Sequence, residues 1–364
     1  MSFLKEEIEK RKIPDLLVKN SGERVKNKED FEKRKLEIKS LLAEHIYGEM
    51  PESPSDLSVE MTEERSFYMG GKGIFRRFLF TATVYGEKFS FPVTSVIPTT
   101  QTPPPVFLYI SFDSDFPGDH SHLPIEEIID GGFAVFTFGY KDITSDNGDF
   151  DNGIAKLFRT KMDSKNAPGK IAMWAWAAMR VMDYIITLDY VDTENVAIIG
   201  HSRLGKTALV TGANDERFKY VISNDSGCSG AAITRGKVGE QISNITEAFS
   251  YWFTDKYKEY VGDGIEKMPL DQNFLTALIP PRHLIIGSAI LDEWADPKSE
   301  FLNAVMTNEV YSLYGLCGLI HEDKYPEPKS ILSEGECCYQ VRHGGHYLSR
   351  EDWSSYMEYI REKM

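Results

Sequence analysis

Residues 200–207 read GHSRLGKT, between the apolar run VAII and the stretch ALVTGAN. Two chemistries fit these letters. As G-x-x-x-x-G-K-T they match a phosphate-cradling loop, in which backbone amides and a lysine wrap the phosphates of a nucleotide. As a strand-to-helix turn with Ser202 at its apex they match a nucleophile elbow. There the tight turn exposes Oγ, and the helix N-terminus favours the negative charge that develops beside it. The phosphate reading makes Lys206 the phosphate ligand and requires a second apolar strand ending in an acid, for which LIIGSAILDE at 284–293 qualifies. It leaves unexplained the C-terminal histidines and the strand–helix units that precede residue 195.

The elbow reading requires a base and an acid, and in a hydrolase built on such an elbow the chain order is serine, acid, histidine. VRHGGHYLSREDW supplies His346 behind Gly344-Gly345, glycines that predict a flexible loop presenting the imidazole; His343 is the competitor. Two loops offer the acid. Asp292 stands in LDEWADP, with Glu293 and Asp296 as neighbours, and Asp225 stands in NDSGCSG. Either aspartate also reads as an ordinary solvated turn residue. The second oxyanion donor is expected from SFDSDFPG at 111–118. His120 and His122 have H-x-H spacing, but no third ligand is apparent, so they predict a pocket-rim loop rather than a metal site.

Positioning these groups requires strands that end where they begin. Residues 28–49 have the spacing of an amphipathic helix, closed by the prolines of MPESPSD. From Val59 to Pro98 the pattern alternates, with a hairpin signal at Tyr85-Gly86, which predicts antiparallel strands at one sheet edge. PVFLYI then reads as a strand buried on both faces. GGFAVFTFG, ENVAIIG, YVISN, RHLIIGSAI and ECCYQVR read as further strands. Between and after them, 171–187, 205–214, 299–315 and REDWSSYMEYIREKM read as helices. Trp174 and Trp176 lie two apart on one helix, cannot share a face, and are read as packing. Strand and helix in alternation predict an α/β fold with a largely parallel sheet. The expected organisation is an N-terminal helical extension over 1–58 and a catalytic domain over 59–364.

A formal net charge of −15 on 364 residues disfavours nucleic acid and anionic membranes as partners, because phosphate neutralisation needs clustered cations. No apolar run approaches the length of a membrane span. The N-terminal stretch MSFLKEEIEKRKIPDLL is charged throughout and has no apolar signal core, and four cysteines make no disulfide framework. A reducing, cytoplasmic location is the expectation.

GHSRLGKTALVTGANDER, NDSGCSGAA, PLDQNFLTALIPPRHL, DEWADP and RHGGHYLSREDW together resemble the glucuronoyl esterases, serine esterases that cleave the ester between 4-O-methyl-glucuronate and an alcohol. The generic elbow G-x-S-x-G is not met, since Leu204 occupies the second glycine position and Gly205 follows it. The family's own G-x-S-R-x-G-K accounts for that shift. The resemblance implies an α/β-hydrolase fold, a three-layer sandwich with a mostly parallel central sheet and an N-terminal helical and antiparallel extension. It implies Ser202 as nucleophile, His346 as base and Arg203 as oxyanion stabiliser. Lys206 is implied to hold sugar hydroxyls and Trp294 to line the sugar pocket. Glu240 falls where bacterial relatives have an acid near the site. Fungal members carry a glutamate at the position of Asp225, and others use an acid at the position of Asp292. Here Asp292 is expected to be the principal acid and Asp225 its support.

The function expected is serine-dependent hydrolysis of a carbohydrate-type ester, without metal or cofactor, on a small-molecule or oligosaccharide substrate. Acetyl xylan or cephalosporin-C-type deacetylation on the same triad is the alternative activity. Nucleotide binding by GHSRLGKT is the alternative of a different class.

Overall fold

A computed structural model describes residues 2–114, 122–161 and 166–364, apart from the side chains of residues 160 and 161. Its centre is a ten-stranded sheet of order β1-β2-β3-β5-β4-β6-β7-β8-β10-β9. The strands are β1 (Asp56–Tyr68), β2 (Gly73–Val84), β3 (Glu87–Pro98), β4 (Val106–Ser111), β5 (Ala134–Gly139), β6 (Val196–His201), β7 (Tyr220–Asn224), β8 (His283–Ala289), β9 (Ser330–Leu332) and β10 (Cys337–Arg342).

The antiparallel opening sits at one edge. β2 and β3 pair up to Val84↔Glu87, so Tyr85 and Gly86 are the two-residue turn. Both have positive φ, 50° and 81°, as a turn that follows the strands' right-handed twist requires. β3 pairs antiparallel with β5, and from there β5, β4, β6, β7, β8 and β10 are all parallel. The short β9, which the sequence pattern does not signal, closes the far edge antiparallel to β10.

The parallel strands are buried on both faces, and this produces their unbroken apolar runs. In β4, Val106, Leu108 and Ile110 enter one core while Phe107 and Tyr109 enter the other. β6 divides the same way between Ile198 and Ile199, and β10 between Cys337 and Cys338. The adjacent cysteines thus point to opposite sides of the sheet, and all four cysteines are free thiols. Helices cover both faces, which gives the three layers of an α/β-hydrolase.

The helix Lys170–Ile185 lies within one face, with Trp174 and Trp176 fully buried. Their indole N–H groups leave in different directions, to the carbonyls of Thr144 and Glu52. The N-terminal helices Phe3–Lys10 and Lys28–Leu42 send Leu4, Phe31 and Ile38 into the same core as the sheet. The stretch 299–315 resolves into two helices, Pro297–Met306 and Asn308–Leu313, that meet at Thr307. Among the described residues, no helix is long and apolar enough to cross a membrane.

In this topology the carboxyl ends of β5, β6, β7, β8 and β10 face one side, and the loops that leave them carry Asp146, Ser202, Asp225, Asp292 and His346. That is where an open α/β sheet places its ligand crevice.

Candidate active site

The strand β6 turns into the helix Arg203–Asn214 through Ser202, whose φ of 58° and ψ of −125° lie in a region that L-residues rarely occupy. The helix begins at Arg203, two residues before the sequence pattern marks it, because Ser202 is the turn itself. Gly200 is obligatory: a Cβ there would stand 2.0 Å from the carbonyl oxygen of Leu204. The displaced second glycine also has a geometric cause. A Cβ on Gly205 would press on Ser226 Cβ at 3.0 Å and the Asn224 carbonyl at 3.1 Å, whereas Leu204 faces away into the core. The helix crosses the loop after β7 at position 205, so a side chain there would crowd that loop.

Ser202 Oγ lies 2.8 Å from His346 Nε2, and His346 Nδ1 lies 2.6 Å from Asp292 Oδ2. A carboxylate accepts only, so Nδ1 carries the proton and Nε2 is left to accept from the serine hydroxyl. Burial pushes the Asp292 pKa up, but His346 and the Ala295 amide outweigh it and hold the carboxyl below its ordinary value. Asp225 lies close by: one oxygen of each aspartate and a ring nitrogen of His346 fall within 4.8 Å of one another. Its partner is different. Asp225 Oδ2 faces Arg342 Nη2 at 3.3 Å, and burial, reinforced by Glu300, holds its pKa well above the ordinary value. Of the two aspartates, Asp292 makes the hydrogen bond to the imidazole.

The neighbouring acids divide by role. Asp296 caps the helix Pro297–Met306 and also accepts from the Val238 amide at 2.9 Å. Glu293 and His343 are exposed.

Arg203 sits beside the serine with its guanidinium 4.8 Å and 5.1 Å from the ring centres of Trp252 and Phe249. It is ion-paired to Asp146, and its Nε is buried without a partner among the described residues. Asp146 also accepts from the Tyr140 hydroxyl at 2.8 Å and the Trp252 indole at 2.7 Å. One carboxylate therefore ties three side chains together next to Ser202's neighbour Arg203. Sequence reasoning missed it, because ITSDNGDF reads as an ordinary turn-forming stretch. His201 was missed as well. Its ring centre is 4.5 Å from that of His346 and its Nδ1 is 2.7 Å from Asn224 Oδ1. Burial, with His346 adding to it, pushes its pKa down to about 3, so it packs against the imidazole as a neutral ring.

Lys206 is 4% exposed and donates to the Ser226 carbonyl at 2.6 Å. It points beneath the loop after β7, not across the mouth of a phosphate cradle. An ammonium has three N–H donors, so this bond leaves others for a ligand. Glu240 acts on Lys206 electrostatically and counters part of the burial that lowers the lysine pKa. Its backbone N–H donates to the carbonyl of Trp294 at 3.0 Å, which ties the two loops together. Trp294 itself is 56% exposed, a rim position. His122 stacks between His201 and Tyr347, with ring centres 5.4 Å and 4.7 Å away. His120 and most of the loop expected to hold the second oxyanion donor lie outside the described residues.

A family model described as "Glucuronyl esterase, fungi" matches residues 80–315, and the "Carbohydrate esterase MZ0003" of an unknown prokaryotic organism is 32% identical over 98% of this chain and 91% of its own. The chain belongs to the glucuronoyl esterase family. It is a carboxylic ester hydrolase. The 4-O-methyl-glucuronoyl methylesterase of Thermothelomyces thermophilus is 27% identical and is matched over 84% of this chain and 73% of its own. Among solved structures, a glucuronoyl esterase from Solibacter usitatus is 30% identical, with a TM-score of 0.88 over 96% of this chain and 97% of that one. A promiscuous CE15 esterase from a marine bacterial metagenome is 31% identical, with a TM-score of 0.88 over 97% of both chains. In this esterase the constellation around Ser202 therefore stands on an α/β-hydrolase framework shared across nearly the whole chain.

Proposed function

We propose that this esterase hydrolyses glucuronoyl esters through a Ser202–His346–Asp292 triad. The observation that carries the reading is the unbroken contact chain from Ser202 Oγ through His346 to Asp292, at 2.8 Å and 2.6 Å. His346 Nε2 takes the hydroxyl proton as Oγ bonds to the ester carbonyl carbon, and the carbonyl π pair moves onto oxygen. The Arg203 backbone N–H, at the open first turn of its helix, and the guanidinium beside it stabilise that oxyanion. Collapse breaks the bond to the alcohol, which leaves with the proton held on Nε2. Water then attacks the acyl-enzyme and gives its proton to His346, which passes it to Ser202 Oγ as the bond to the acyl carbon breaks and the acid leaves. Asp292 stays ionised and stabilises the imidazolium in both halves.

Lys206 and Glu240 hold hydroxyls of the sugar, and Trp294 covers its face from the rim. The names of the relatives support a uronoyl group on the acyl side.

The test is a comparison of wild type and Ser202→Ala on a methyl glucuronate ester and on p-nitrophenyl acetate, with ATP binding as a control. Loss of turnover in the variant and a preference for the glucuronate ester are expected. Equal turnover by both proteins refutes the serine route. A preference for the acetyl ester points to deacetylation, and tight ATP binding to the phosphate-loop chemistry.

A further inference from the structure

One buried guanidinium connects Asp225 to the loop that carries His346. Arg342 is the last residue of β10. Its Nη2 donates to the carbonyl of Gly345 at 2.7 Å and to the carbonyl of Tyr347, the two residues that flank His346. The same nitrogen faces Asp225 Oδ2 at 3.3 Å, and Nε donates to Asp352 Oδ2 at 2.9 Å. Asp352 is itself fully buried and belongs to the capping box that opens the helix Arg350–Lys363. The guanidinium thus contacts two buried carboxyl groups and the base loop at once.

Of the paired glycines, Gly344 also makes room for the guanidinium. Gly344 has a φ of 151°, and a Cβ on it would stand 2.3 Å from Arg342 Nη1. The side chain is missing where the guanidinium passes. The Gly344 carbonyl accepts from the Leu291 amide at 2.9 Å, and the Arg342 carbonyl from the Ile290 amide at 3.0 Å. The loop with the base and the loop with the acid are therefore joined at the backbone, next to the strap.

We propose that Arg342, anchored on Asp225 and Asp352, is a positioning residue for ester hydrolysis: it straps the two carbonyls that flank His346, and so holds Nε2 at Ser202 and Nδ1 at Asp292. The inference rests on the reading of His346 as the base. Its physical basis is the cost of ordering a glycine-rich segment, which leaves the imidazole free to wander unless the backbone is fixed. An arginine suits the task because its planar fork reaches acceptors in several directions at once; a lysine ammonium carries the charge without that geometry. Asp225 then acts through Arg342, as a buried acceptor that its guanidinium faces, and does not act as a second acid on the imidazole.

The test uses the full chain as wild type, Arg342→Lys and Gly344→Ala, with kcat and KM on a methyl glucuronate ester. A second readout is the downfield proton resonance of the His346 Nδ1–H bond to Asp292, which needs no substrate. For Arg342→Lys, kcat is expected to fall about 30-fold with KM within about twofold, as a displacement of the base by a fraction of an ångström would cause. The downfield resonance broadens or disappears. Gly344→Ala keeps the charge and crowds the guanidinium, so it is expected to lower kcat to a similar extent and serves where the lysine variant fails to fold. A folded Arg342→Lys or Gly344→Ala protein with wild-type kcat and an intact resonance overturns the strap. Wild type inactive on every ester overturns the triad reading instead, and the resonance then decides the strap on its own.

Discussion

Replacing Asp292 by asparagine removes one charge and keeps the shape of the group that contacts His346 Nδ1 at 2.6 Å. The imidazolium formed during attack loses its counter-charge. At a separation of about 3.3 Å and an effective dielectric of about 20, that attraction amounts to about 5 kcal/mol. Asparagine can also donate to Nδ1 and so select the tautomer in which Nε2 cannot take the serine proton, a fault that costs roughly 10⁴ in kcat in a serine protease triad. The imidazole is 45% exposed, and solvent screening trims the electrostatic part. The expected loss for Asp292→Asn is therefore roughly 10³–10⁴ in kcat with little change in KM. Asp225 reaches within 4.8 Å of the same groups, but Arg342 stands 3.3 Å from it, and burial favours its neutral form. Its direct effect on the imidazolium is correspondingly small, and Asp225→Asn is expected to lose about tenfold or less. Steady-state kinetics on a methyl glucuronate ester, with both variants checked for folding, measures the two losses. A loss for Asp225→Asn equal to or larger than that for Asp292→Asn refutes the assignment.

Arg203→Ala keeps the backbone amide and removes the guanidinium, so kcat is expected to drop about 10²-fold with KM nearly unchanged; an unaltered kcat means the side chain takes no part in oxyanion stabilisation. Asp146→Ala strips the shared acceptor from Arg203, Trp252 and Tyr140, and should lower both kcat and the unfolding midpoint, whereas a pure stability change in thermal unfolding would separate it from the oxyanion side. Glu300 is fully buried, and burial raises its pKa to about 7 from 4.5. A raised acid contributes stability that is complete below the unfolded value and lost as pH rises through 7, by about 3 kcal/mol. Glu300→Gln should remove that part of the slope, and urea unfolding at several pH values in which the two proteins run parallel would contradict it. Trp294→Ala, at an exposed position, should raise KM for the glucuronate ester several-fold and leave stability within about 0.5 kcal/mol, as isothermal binding and urea unfolding would register.

Much of the framework is written in local patterns. Continuous apolar runs marked the parallel strands because both faces of those strands are buried, and Tyr85-Gly86 marked the hairpin because a two-residue turn needs positive φ at both positions. The elbow was legible for a similar reason: Gly200 and Gly205 stand where backbone comes too close for a side chain, and Ser202 lies between them. Chain order then narrowed the base to His343 or His346 and the acid to Asp225 or Asp292. There the one-dimensional information ended. Each aspartate occupies a polar loop after an apolar strand, so local pattern leaves both open, and the expectation of Asp292 as principal acid rests on the family resemblance. Their partners come from contacts that span the chain: His346 to Asp292 across 54 residues, Arg203 to Asp146 across 57, and Arg342 to Asp225 across 117. Such pairings depend on which strands become neighbours in the sheet, and the order β5-β4-β6-β7-β8-β10 is a property of the folded chain. Sequence by itself determined that a serine, an acid and a histidine leave the same end of an α/β sheet. Tertiary structure alone decided that Asp225 is taken up by an arginine while Asp292 meets the imidazole at hydrogen-bond distance, because each contact is settled by a few ångströms that no spacing along the chain encodes.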